Sequence, residues 1–137
     1  MGNSPTTGCN PGLAQHVYKP DRLHVLQPCI AVTGTIKHIK RETDGDDHIQ
    51  LTLDAMFSGL LNDKNKTQQA QSLVLEPICQ NPVTQPDAVA VCRDFHSGVV
   101  VPTTGAHVRV VGVYVLDVEP DHGWTEIHPV TAMTVVK

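Results

Sequence analysis

Alternating apolar and polar positions recur along the chain and predict β-strands. The clearest example is residues 48–54, where Ile49, Leu51 and Leu53 alternate with polar residues. Successive side chains of a strand project to opposite faces, so this segment is predicted to be a half-buried strand. Similar patterns predict four further strands, at residues 30–36, at residues 72–78, from near His107 onwards, and at residues 124–135.

One segment between the third and fourth predicted strands has the pattern of a helix instead. Thr84 is a suitable N-cap, Pro86 fits the first helical turn, and Asp87 places a negative charge there. The apolar residues that follow recur with helical spacing, and they are Ala88, Val91, Cys92 and Phe95. The sequence therefore predicts one short helix.

Glycine and proline modify three of the predicted strands. Gly34 and Gly112 lie where a strand can bend to serve both sides of a small barrel, and Pro129 indicates an edge or a bulge. Together with the order of elements, these positions predict an all-β fold with one short helix, namely a five-stranded OB-like Greek-key barrel. The alternative, an immunoglobulin-like sandwich, requires about seven strands and a Trp between the cysteines. Trp124 follows all four cysteines instead.

The length of 137 residues is that of one domain with a substantial core. Residues 1–28 are rich in proline and are predicted to form an extended N-terminal arm, and residues 29–137 are predicted to form the barrel. The hydrophobic content of 40% and charged content of 18% are those of an ordinary folded protein.

Charge and hydropathy narrow the possible partners. The net charge of −4 argues against nucleic-acid binding, which depends on a basic surface. The one basic cluster, residues 37–41, is followed at once by acidic residues. No segment is apolar for long enough to predict a membrane span, and the N-terminal residues contain no hydrophobic signal-peptide core.

The four cysteines contain no C-x-x-C pair, which argues against a zinc ribbon and a thioredoxin-like motif. Three pairings are possible, and the most local one joins Cys9 to Cys29 and Cys79 to Cys92. It would tether the N-terminal arm and a mid-chain loop, and each closure would stabilise the fold by ~3 kcal/mol in the chain-entropy model. Disulfides favour an exported, secreted protein. The alternative is a cytosolic chain with four reduced cysteines.

Candidate chemistry is concentrated near the C-terminus. Trp124, Glu126 and His128 occupy alternate positions of the fifth predicted strand, so they are expected to share one face. An aromatic ring beside two polar groups predicts a ligand-binding platform. In the alternative, Trp124 packs over the barrel end, and Glu126 bonds to neighbouring backbone or pairs with Arg109.

Two acidic turns predict a metal site. The turns at residues 44–48 and 117–122 each contain a histidine, and in an OB-like barrel they flank the usual ligand face. If they meet, their like charges require a cation, and we expect a divalent ion such as Zn, Cu or Ca. The predicted ligands are Asp46, His48, Asp121 and His122. Solvated acidic turns without any ligand are the alternative, because Asp and Gly are ordinary turn residues.

One string of residues, His122-Gly123-Trp124-Thr125-Glu126-Ile127-His128-Pro129, carries a resemblance. With the segments at 29–35, 44–48 and 112–117, it resembles a widespread, largely uncharacterised group of small secreted bacterial domains. The resemblance implies export and an OB-like barrel, and it implies no catalytic mechanism. The chain departs from the pattern at Glu119-Pro120, which lengthens the turn and shifts His122.

These observations predict a secreted or cell-surface module that binds an unknown ligand or protein partner, or has a structural role, and is not an enzyme. A metal-dependent, nuclease-like hydrolase is one alternative. Against this hydrolase, the arginines are too scattered to hold a phosphoryl group. A second alternative is a self-assembling extracellular subunit, either a homo-oligomer or a filament, because exposed edge strands can pair with a second copy.

Overall fold

The computed structural model describes residues 8–137, so the first seven residues of the predicted N-terminal arm lie outside the described part. Two short α-helices, α1 (Asp63–Gln68) and α2 (Val89–Cys92), accompany five strands. The strands are β1 (Leu23–Arg41), β2 (Asp47–Leu53), β3 (Leu73–Leu75), β4 (His107–Asp117) and β5 (Thr125–Val135). Single 3-10 segments occupy Pro11–His16, Pro20–Arg22, Ala55–Leu60 and Pro86–Ala88.

The β-rich class is confirmed, and each predicted strand has a counterpart. β1 begins at Leu23, within the range predicted as an extended arm, and β3 is reduced to Leu73–Leu75. The predicted helix is present as a 3-10 turn followed by α2. Helix α1 was not predicted, and a capping box between Asn62 and Asn65 begins it. No helix among the described residues is long and apolar enough to cross a bilayer.

The five strands form a sheet that closes on itself in the order β1-β2-β3-β5-β4. All pairs are antiparallel except β3 with β5, which is parallel. Each of these described strands has two neighbours in the ring, although β3 pairs with β5 only at Glu126 and Ile127, so residues 130–135 of β5 pair with β4 alone.

The interior of the closed sheet is filled by aliphatic side chains, as the scarcity of aromatic residues requires. Ile30, Val32 and Ile36 of β1 are at most 1% exposed, and so are Ile49 and Leu51 of β2. These are the inward positions that the alternating pattern predicted. Burial of this aliphatic face is the main stabilising contribution to the ring.

The two strand glycines are explained by close approach of neighbouring strands. A Cβ on Gly34 would lie 2.5 Å from the carbonyl oxygen of Thr52, and one on Gly112 would lie 2.4 Å from Ile127 Cγ2. The register between β4 and β5 also shifts on both sides of Gly112, which pairs with Val130, the residue after Pro129. The irregularity predicted at Pro129 is therefore present.

Both disulfides of the most local pairing are formed, Cys9–Cys29 and Cys79–Cys92, and no described cysteine is free. The first ties the N-terminal segment to β1. The second closes the loop that contains α2, and it adjoins a small second core in which Leu13, Val17 and Ile78 pack with Cys79. Cys92, which packs against this second core, places its Sγ 4.0 Å from the carbonyl oxygen of Asp44 in the turn between β1 and β2.

Candidate metal centre

The start of β2, the end of β3 and the middle of β5 each bring one acidic or imidazole side chain to the same buried point. The register pairs Leu75 of β3 with Ile127 of β5, and Glu76 N–H donates to the carbonyl oxygen of Ile127 at 2.9 Å. On the other side of β3, Asp47 N–H donates to the carbonyl of Pro77 at 3.1 Å. The side chains of the residues next to these contacts therefore meet, and they are Asp46, Glu76 and His128.

The three side chains offer unsatisfied ligand atoms. Asp46 Oδ2, Glu76 Oε1 and His128 Nε2 have no hydrogen-bond partner. One potential ligand atom of each of the three residues lies within 4.8 Å of those of the other two. The residues are only 1%, 3% and 1% exposed, respectively. A buried polar atom without a partner costs about 1–3 kcal/mol, so three together need an explanation. A bound cation would satisfy all three at once.

The imidazole of His128 is oriented from behind by Glu126. Trp124 Nε1–H donates to Glu126 Oε2 at 2.7 Å, and the other oxygen of Glu126 lies 2.9 Å from His128 Nδ1. Because the carboxylate can only accept, Nδ1 carries the hydrogen of that bond. The opposite nitrogen, Nε2, is directed towards Asp46 Oδ2 at 3.7 Å. Metal-binding histidines are typically oriented by a carboxylate in this way.

The turn between β1 and β2 holds Asp46 in place. Asp46 Oδ1 accepts the backbone N–H of Cys79 at 3.1 Å, while the carbonyl of Gly45 accepts the N–H groups of Gln80 and Asn81 at 2.7 and 2.9 Å. Gly45 has φ +96°, a conformation in which a side chain would be strained. Asp44, Asp46 and Asp47 are all at most 8% exposed. These three carboxyl groups are therefore buried and not solvated.

Burial perturbs the carboxyl groups of the cluster. It raises the pKa of Asp46 to about 7, although the nearby His128 works in the opposite direction. Burial, followed by the negative charge of Glu126, raises the pKa of Glu76 well above its usual range. Burial also acts to raise the pKa of Glu126, but hydrogen bonds from His128 and Trp124 outweigh it and the net shift is downward. Glu126 is thus the ionised member, and the other two carboxyl groups hold protons readily unless a cation replaces them.

A polar cleft of about 340 Å³ opens beside the cluster. Both acidic turns border it, and its walls include Glu42 from the first turn and His122 from the second. Glu76 also lines the cleft, and its second oxygen, Oε2, lies 2.8 Å from His48 Nδ1. Glu42 Oε2 lies 4.0 Å from the same nitrogen. The cleft therefore connects the buried cluster to the half-buried group Glu42, His48 and Glu76.

The structure joins the three residues that were predicted to form a ligand platform. Trp124, Glu126 and His128 are linked to one another by the two hydrogen bonds to Glu126, and the alternative ion pair between Glu126 and Arg109 is not among its contacts. Trp124 is 6% exposed and borders the cleft. It stacks against His122 with a centroid distance of 4.4 Å. The tryptophan therefore forms a wall of the cleft and not an open surface.

The four predicted metal ligands are placed differently. Asp46 belongs to the buried cluster and His48 to the half-buried group. Asp121 is exposed in the β4–β5 turn, and His122 Nδ1 lies 2.9 Å from Asp117 Oδ2. Among residues 8–137, no group of ligand atoms close enough to hold an ion includes Asp121 or His122. The two turns do flank one cleft, but the second turn contributes its wall and not its ligands.

Sequence reasoning missed Glu76. The one available signal is an acidic residue directly after the fully apolar Leu73–Leu75, at a point where a buried strand ends. Its position relative to His128 depends on the parallel pairing of β3 and β5, which a local pattern does not contain. A further geometric group, Asp46 with Cys79 and Cys92, has no thiolate to offer because the two cysteines form a disulfide.

Comparison of the chain with protein-family models, with curated proteins and with solved structures finds no match.

Proposed function

We propose that this chain is an exported, disulfide-stabilised binding module of OB-like topology that binds a divalent metal ion at Asp46, Glu76 and His128. The observation that carries the proposal is the convergence of three buried side chains, each of which has one polar atom without a partner. Two oxygens and one imidazole nitrogen suit zinc or another first-row transition ion. Calcium fits less well, because it takes oxygen ligands.

The surroundings of the cluster support a resident cation. The carboxylates of Glu126 and Asp117 are also buried, at 2% and 0% exposure, while the half-buried Arg22 lies 3.5 Å from Asp117. Four carboxyl-bearing residues line the cleft against two fixed cations, Arg22 and Lys40. The carboxyl groups are Glu42, Glu76, Asp117 and Glu126. Isolated buried carboxylates are costly, and a divalent ion would compensate several of them together.

The OB-like assignment is supported by the order of the strands and by the position of the cleft. β1 pairs with both β2 and β4, and the β1–β2 and β4–β5 turns border the same cleft. In OB-folds these two turns flank the usual ligand-binding face. Export is supported by the two disulfides, which persist in oxidising compartments.

The test is metal analysis of the full chain, purified without a histidine tag, stripped with a chelator and reloaded with Zn²⁺. We expect at least one tightly bound equivalent of Zn²⁺. His128→Ala and Asp46→Asn are each expected to lower the Zn²⁺ affinity at least 10-fold. His24→Ala is the matched control, because His24 is exposed on β1 and distant in sequence from the cluster. Circular dichroism verifies that each variant is folded. A stoichiometry far below one that is the same in all four proteins would refute the proposal.

A further inference from the structure

We propose that Glu76 bridges two metal ions, the buried ion bound with Asp46 and His128 and a second ion bound with His48 and Glu42 at the floor of the cleft. This inference rests on the proposed function, because it adds a second ion to the first. Glu76 is the one residue shared by the two groups whose ligand atoms lie within 4.8 Å. Its Oε1 has no partner, and its Oε2 faces His48.

The hydrogen bonds of His48 prepare one nitrogen for coordination. Gln69 Oε1 accepts from Gln50 Nε2 at 3.2 Å and lies 2.9 Å from His48 Nε2. An amide oxygen can only accept, so His48 Nε2 carries a hydrogen. In the neutral imidazole, Nδ1 then has a free lone pair. That lone pair faces Glu76 Oε2 at 2.8 Å.

Two facing lone pairs repel each other unless a positive charge lies between them. A proton can supply this charge, and so can a metal ion that both atoms coordinate after a small displacement. A second acidic group is present at the same point, since Glu42 Oε2 lies 4.0 Å from His48 Nδ1. One imidazole and two carboxylates repeat the donor set of the buried cluster. The group is therefore suited to the same class of ion.

The two sites differ in their access to solvent. The side chains of Asp46 and His128 are 2% and 0% exposed, whereas those of His48 and Glu42 are 16% and 31% exposed. The second ion would therefore have coordination positions open to the cleft of about 340 Å³. Water or an anionic ligand can occupy such positions. In proteins that hold ion pairs of this kind, the ions are roughly 3.5–4 Å apart.

The inference is tested by Mn²⁺ binding to the chelator-stripped full chain, with stoichiometry from calorimetry and the coupling of the ions from electron paramagnetic resonance. We expect two equivalents in the unsubstituted protein and a spectrum of exchange-coupled ions. His48→Ala is expected to bind one equivalent with an uncoupled spectrum. His24→Ala, on the exposed face of β1, is expected to retain two coupled ions.

Each other outcome overturns a defined part of the account. One equivalent in the unsubstituted protein, unaffected by His48→Ala, refutes the second ion and leaves the proposed function intact. Two equivalents without coupling, or two that persist in His48→Ala, refute the bridge by Glu76. One equivalent of Zn²⁺ without any Mn²⁺ binding refutes the second ion alone, whereas no binding of either Mn²⁺ or Zn²⁺ by the same stripped protein refutes both proposals. The stoichiometry and the spectrum of the unsubstituted protein show whether it binds two coupled ions, even if a variant does not fold.

Discussion

The carboxylate of Glu126 accepts a hydrogen bond from His128 Nδ1 at 2.9 Å, and this contact directs the other imidazole nitrogen towards the buried cluster. Glu126 itself contributes no atom to the groups of potential ligands among the described residues. Its role in the account is therefore to orient His128 and to raise the basicity of its Nε2.

We expect Glu126→Gln to weaken metal binding about 10- to 100-fold, because a neutral amide orients the imidazole less strongly than a carboxylate does. The measurement is competition for Zn²⁺ with a chromogenic chelator. Glu119→Gln makes the same chemical change in the β4–β5 turn, outside the groups of potential ligands, and is expected to bind as the unsubstituted protein does. Equal affinity in both variants would contradict the orienting role.

The metal-free protein is expected to lose stability as the pH rises. Burial raises the pKa of Asp46 to about 7 in the folded chain, above its usual value of 3.8. The folded state therefore binds this proton more tightly than the unfolded state does. The resulting loss in the free energy of unfolding is absent below pH 4 and grows between pH 4 and 7. Above pH 7 it reaches on the order of 4 kcal/mol.

Urea unfolding of the chelator-treated protein at pH 5 and pH 8 measures this effect. Asp46→Asn is expected to reduce the difference between the two pH values, because it removes the titrating carboxyl group. Added Zn²⁺ is expected to stabilise the unsubstituted protein at pH 8. A metal-free protein that is more stable at pH 8 than at pH 5 would contradict the direction predicted for Asp46.

The two disulfides are expected to differ in their effect on metal binding. Replacement of both Cys79 and Cys92 by serine loosens the loop whose backbone N–H at residue 79 holds Asp46 Oδ1. We expect a loss of stability of about 2–5 kcal/mol together with weaker metal binding. The paired replacement of Cys9 and Cys29 is the matched control, expected to lower stability but to leave the metal affinity unchanged.

Thermal unfolding and metal titration of the two double variants separate these effects. Weaker metal binding in the Cys9/Cys29 variant alone would contradict the role given to the loop that the Cys79–Cys92 disulfide closes. Thiol titration of the unsubstituted protein under denaturing, non-reducing conditions should detect no free thiol. Four free thiols would remove the argument for export.

Gly112→Ala is expected to destabilise the fold by about 1–3 kcal/mol, which is typical of overpacking in a well-filled interior. The added Cβ would meet Ile127 Cγ2 at 2.4 Å and the carbonyl oxygen of Pro129 at 2.6 Å. Gly59→Ala is the control, because nothing lies within 4 Å of its added Cβ. Urea unfolding compares the two variants, and an equal stability would contradict the close approach of β4 and β5.

The sequence pattern predicted a strand best where apolar and polar residues alternate locally, as they do in β2. It also predicted that Trp124, Glu126 and His128 would share one face, which follows from the period of a strand. The partners of these residues could not be predicted in the same way. Glu76 reaches His128 through a parallel pairing of strands that are distant in sequence, and this register leaves no trace in a local pattern.

The misplacement of the predicted metal ligands has a similar physical cause. Composition identified two acidic turns with histidines, and both turns do border one cleft. It could not indicate that Asp46 is buried beneath the disulfide-closed loop while Asp121 is exposed. Burial of a turn depends on the segments that pack over it, and here those segments come from later in the chain.

The most direct test of the central claim is a crystal structure of the Zn²⁺-loaded protein with anomalous data collected at the zinc edge. The account predicts an anomalous peak roughly 2.0–2.2 Å from Asp46 Oδ2, Glu76 Oε1 and His128 Nε2. A zinc-loaded crystal with no peak at these three atoms, or with its peak at Asp121 and His122 instead, would contradict it.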